Sequence, residues 1–77
     1  MARTVNRAEA QLAYFAAATA LGITFDVGEL KAMADLTLSL EDIKAAVVEM
    51  RQWPVNHDPT ARFQAVLKAL RTRREIL

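Results

Sequence analysis

The sequence predicts an all-α fold, a compact bundle of about four short helices forming a single domain over residues 1–77. Apolar residues recur at three- and four-residue spacing in four separate stretches. Each stretch opens on a residue suited to capping a helix: Asn6, Asp26, Ser39 or Asp58. Nowhere does a run of useful length alternate with the period of two that a half-buried strand requires.

The first helix is expected over 7–21. Asn6 can accept from its free amides, Glu9 three residues on completes a capping box, and Gly22 stands where a left-handed terminator belongs. The second is expected over 27–36, capped by Asp26 with Glu29 three residues later; Gly28 in its first turn costs roughly 1 kcal/mol relative to alanine. The third is expected over 40–53, with Ser39 as cap, Glu41 and Asp42 at the positive end of the helix dipole, and Pro54 as the stop. The fourth is expected over 59–75. Asp58 caps it, Pro59 takes the first helical position where its missing amide is harmless, and Arg71, Arg73 and Arg74 crowd the end that favours positive charge.

Three of these helices carry a single apolar stripe: Val27, Leu30, Met33 and Ala34; Ile43, Val47 and Met50 with Ala46 and Trp53; Phe63, Val66, Leu67, Leu70 and Leu77. The first differs. It lies in AQLAYFAAATALGITF, residues 10–25, a run without a formal charge. Val5, Leu12 and Phe15 fall on one side of a helical wheel, and Tyr14, Ala18 and Leu21 nearly opposite, with alanines between. A helix apolar all round is expected to be central, or covered on both faces. Ala17 and its neighbouring alanines would let a second helix approach closely. Leu12, Tyr14, Phe15, Ala17, Ala18 and Leu21 are therefore the candidate protein interface, only one side of which the chain's own core should need.

Length sets the energetic frame. A chain of 77 residues buries only about 60% of its unfolded surface. With no cysteine there is no disulfide and no thiolate zinc site to add stability. Good packing or a partner subunit remains, and two-fold homodimers are the commonest solution. A spanning helix is not expected, because Gly22 interrupts the uncharged run well short of about 20 residues. Glu9 and Gln11 interrupt what would otherwise resemble a secretory leader, so a cytoplasmic location is expected.

Chemistry-bearing motifs are sparse. His57 is the sole histidine, and adjacent Asp58 does not make a ligand set. Glu41 and Asp42 point about 100° apart on a helix. The two glycines are isolated, so no loop cradles a phosphate. The expected function is non-enzymatic, without metal or cofactor.

Charge is uneven along the chain: residues 26–50 hold six acids against Lys31 and Lys44, whereas residues 51–77 hold six cations against Asp58 and Glu75. The alternative function draws on this, as a small DNA- or RNA-binding regulator. Residues 28–53 have the loose outline of a helix-turn-helix, and Arg62, Lys68, Arg71, Arg73 and Arg74 are its candidate phosphate contacts. Acids at the start of the would-be recognition helix count against it. The leading expectation is a protein–protein interaction module, homodimeric or a subunit or adaptor of a larger complex. A lipid surface bound by the arginine-rich end is a lesser possibility, and WPVNHD, residues 53–58, is the expected hinge if the chain has one.

Overall fold

The computed structural model describes residues 4–54 and 58–76 of the chain. His57 and most of the expected hinge, and Leu77 of the fourth stripe, lie outside the described residues. Four helices follow the caps in order: α1 (Arg7–Leu21), α2 (Val27–Asp35), α3 (Leu40–Arg51) and α4 (Pro59–Ile76).

Three capping boxes start the first three helices. Asn6 Oδ1 accepts from the Glu9 amide at 2.8 Å and Asp26 Oδ1 from the Glu29 amide at 2.7 Å, each reciprocated by the glutamate. Ser39 and Asp42 form the third, at 3.4 and 3.1 Å. Asp42 is therefore a partner in a specific pair as well as a favourable charge at the helix start. Gly28 also gains a reason: a Cβ there would lie 3.3 Å from the capping Asp26 Oδ1.

α1 stops at Gly22, whose φ of 74° is left-handed. The Gly22 amide donates to Thr19 O and the Ile23 amide to Ala18 O, the paired bonds of a Schellman terminus. α3 ends at Arg51, short of the expected Trp53, because the residue before a proline is disfavoured in helical conformation.

The helices form a ring. α1 packs on α2 and α3, and α4 packs on α3 and α2. Among the described residues no Cα of α2 comes within 8 Å of α3, nor any of α1 within 8 Å of α4. The ring is thus two helical hairpins in two layers, α1–α2 over α3–α4. The core between them collects Ala10, Tyr14 and Ala18 from α1, Leu30 and Met33 from α2, Ile43, Ala46 and Met50 from α3, and Val66, Leu67 and Leu70 from α4. Phe25, in the connector after α1, sets its ring 6.5 Å from that of Phe63, tying the first hairpin to α4.

This arrangement corrects four expectations. α1 is not central; it is one side of a ring and keeps an outer face. Val5 does not share the side of Leu12 and Phe15, because extended backbone at Asn6 takes it off the helical wheel and into the core. Val27 is 59% exposed and leaves the α2 stripe. The helix-turn-helix outline is not a packed unit, since α2 and α3 do not approach one another.

The α2–α3 connector is where the layers are tied. The Val5 amide donates to Leu38 O at 3.1 Å, and Thr4 bridges to Ser39. From the other layer, Arg74 Nε of α4 donates to Leu36 O at 3.0 Å, and beside it Arg73 Nε donates to Asp42 Oδ1 of α3 at 2.8 Å. The acidic and basic thirds of the sequence meet here inside one chain.

Candidate protein-interaction surface

The helical period sorts α1 into two unlike sides. Tyr14 is fully buried and Ala18 nearly so, while Ala17 and Leu21 are half-buried and pack on the core. Tyr14 and Ala18 thus belong to the chain's own interior, and Ala17 and Leu21 lie at its edge. The opposite side comprises Ala8, Leu12, Phe15, Ala16 and Thr19, all exposed, with Leu12 71% and Phe15 52% accessible. From Ala8 to Thr19 this stripe runs about 16 Å, three helical turns, without a charge.

A polar contact fixes which side faces in. The Tyr14 hydroxyl lies 2.5 Å from Thr37 Oγ1, and Thr37 Oγ1 lies 2.8 Å from Met33 O. A carbonyl only accepts, so the threonine proton goes to Met33 and the phenol donates to Thr37. Phe15 has no hydroxyl to place and no such partner. Burial, eased by the threonine bond and reinforced by the charge of Asp42, pushes the phenol up to about 12.

The candidate nucleic-acid residues are also divided. Arg62 is 2% exposed and its Nη2 donates to Pro54 O, so it holds the start of α4 against the end of α3. Arg73 and Arg74 hold Asp42 and Leu36 O. Lys68 and Arg71 remain exposed, with no ion pair among the described residues. Three of five candidate phosphate contacts thus serve the fold. Burial pushes the Asp42 carboxyl up, but Arg73 and the Leu38 and Ser39 amides outweigh it and hold it below the usual carboxylate range.

A second surface, which helical periodicity alone did not single out, lies between α3 and α4 on the side away from α1. It is an open groove of about 580 Å³ with Ala45, Ala65 and Ala69 as its floor. Trp53 walls one end, Thr72 and Arg73 the other, and Glu49 and Lys68 stand on the rims. Trp53 Nε1 donates to Glu49 Oε1 at 3.3 Å. The visible signal was alanines beside each apolar stripe, Ala45 on α3 and Ala65 with Ala69, four apart, on α4.

Among the described residues no three His, Cys, Asp or Glu side chains gather as a metal site. No helix among them is long and apolar enough to cross a membrane. Comparison with protein-family models, curated proteins and solved structures yields no match to this chain.

Proposed function

We propose that this chain is a small, non-enzymatic, cytoplasmic protein–protein interaction module, working as a homodimer within a larger complex, and that the outer face of α1 receives an apolar helix from another protein. The carrying observation is the Leu12–Phe15 stripe: two large apolar side chains exposed in a chain with little core to spare. Its width and length match the apolar stripe of one amphipathic helix, and Ala8 and Ala16 leave room for close approach. The absence of charge from the stripe selects an apolar face over an acidic or basic peptide. One helix seam falls well under the ~800 Å² per partner of a stable two-chain interface, so this face suits a subunit contact supported by others. Of the five candidate phosphate contacts, the nucleic-acid reading keeps Lys68 and Arg71 as exposed side chains, which is thin for phosphate-driven binding.

The test compares the wild-type chain with the double variant Leu12→Gln/Phe15→Gln. A protein captured from an extract by the wild type is purified and titrated against both. Direct binding that weakens at least about thirtyfold in the double variant, with unchanged helicity, supports the proposal. Equal binding by both overturns it.

A further inference from the structure

We infer that the α3–α4 groove is the homodimer interface, closed by a second copy of this chain about a two-fold axis that lies in the interface and runs along the groove. The inference builds on the homodimer of the interaction-module reading but uses the layer opposite α1, so the groove and the α1 docking face can fail separately.

The argument is one of self-complementarity. α3 and α4 are antiparallel, and two contacts set their register: Asp42 is level with Arg73 at one end, and Pro54 with Arg62 at the other. Glu49 on the α3 rim and Lys68 on the α4 rim therefore sit level with each other, each within about one residue rise (~1.5 Å) of the midpoint. A two-fold rotation about an axis running along the groove, in the plane of the interface, exchanges the rims. It places Glu49 over the second copy's Lys68 and Lys68 over the second copy's Glu49. It also lays Ala45 near the second copy's Ala69, small on small, so that the layers can approach as in a four-helix bundle.

A uniformly charged peptide does not account for this pattern. Rim charges of opposite sign at the same level reward a partner carrying the same pair reversed, which a two-fold copy supplies twice over. Lys68 makes no ion pair among the described residues, and its side chain is exposed. Two helices side by side also offer about twice the footprint of the α1 seam, closer to the area a stable dimer needs. The dimer so built leaves both α1 faces outward, making the assembly bivalent.

The test is a charge-swap cycle followed by sedimentation equilibrium at micromolar concentration, with thermal melts as a folding control. Wild type should be dimeric. Lys68→Glu and Glu49→Lys should each raise the dissociation constant at least about tenfold, because two like-charge contacts replace two ion pairs. The double variant Glu49→Lys/Lys68→Glu should restore it to within about threefold. A wild type that stays monomeric overturns the inference, as does a dimer indifferent to both single changes or not restored by the swap. A dimer lost through Leu12→Gln/Phe15→Gln but kept in the charge variants places self-association on α1 and overturns it equally.

Discussion

The Tyr14 hydroxyl, on α1, donates to Thr37 Oγ1 beyond the end of α2, and Thr37 passes its own proton to the Met33 carbonyl. This short relay satisfies the polar end of the largest fully buried side chain in the core. It also holds α1 in the rotation that leaves Leu12 and Phe15 outside.

Tyr14 is the only tyrosine, so its titration can be followed spectroscopically without overlap. Its folded phenol ionises at about 12, against about 10 in an unfolded chain. Stability from this group is therefore complete below pH ~10 and is lost as pH rises from there towards and through the folded value. Denaturant unfolding as a function of pH should show that alkaline loss. Tyr14→Phe should flatten it while costing about 1 kcal/mol at neutral pH. An unchanged alkaline slope in the variant would place the loss in other groups.

Asp42 gives the opposite sign. Its carboxyl is held below the ordinary value, so its contribution is present above an unfolded value near 3.9 and disappears as pH falls through and below it. Asp42→Asn keeps the size but removes the charge that Arg73 and two backbone amides share. We expect a loss of about 2 kcal/mol at pH 7, near 8–16 °C in melting temperature, shrinking towards zero at pH 3. Arg73→Ala should lose less, because the arginine is partly exposed and the capping bonds to Asp42 survive it. Calorimetry of both variants from pH 3 to 7 checks the order.

The four helices were legible because their signals are local. Asn6 with Glu9 and Asp26 with Glu29 each occupy four residues, and a capping box needs no tertiary context. The orientation of α1 was not legible, because Tyr14 and Phe15 are nearly equal in apolar surface. Their difference lies in a hydroxyl whose partner, Thr37, is 23 residues away. The burial of Arg62 was hidden similarly: it depends on α4 folding back to bring a guanidinium beside the Pro54 carbonyl. Local spacing shows where helices begin, and long-range polar contacts decide which sides face in.

Gly22 tests the local part. Its φ of 74° is a conformation that L-residues rarely adopt, yet a Cβ there would meet nothing within 4 Å. Gly22→Ala should therefore cost only the conformational term, about 1 kcal/mol, with no steric addition. Gly22→Asn should recover part of it, since asparagine tolerates the left-handed region better. Urea unfolding of the three proteins measures the difference; a loss above about 2 kcal/mol for the alanine would show that the Schellman terminus itself had been disrupted.

Arg62 and Arg71 separate structural from surface cations on one helix. Arg62 is buried and its guanidinium donates to Pro54 O, so Arg62→Ala removes packing and the bond that ties α4 to the end of α3. Arg71 is exposed and makes no ion pair among the described residues. We expect Arg62→Ala to lose about 2–3 kcal/mol and Arg71→Ala to stay within about 0.5 kcal/mol of wild type in urea unfolding. In a heparin-column experiment at low salt, Lys68→Ala/Arg71→Ala should lower what retention the folded chain shows, because those exposed cations of α4 can reach a polyanion. Retention that survives the double change and falls only when Arg73 and Arg74 are replaced would mean that the ties to Asp42 and Leu36 open in solution.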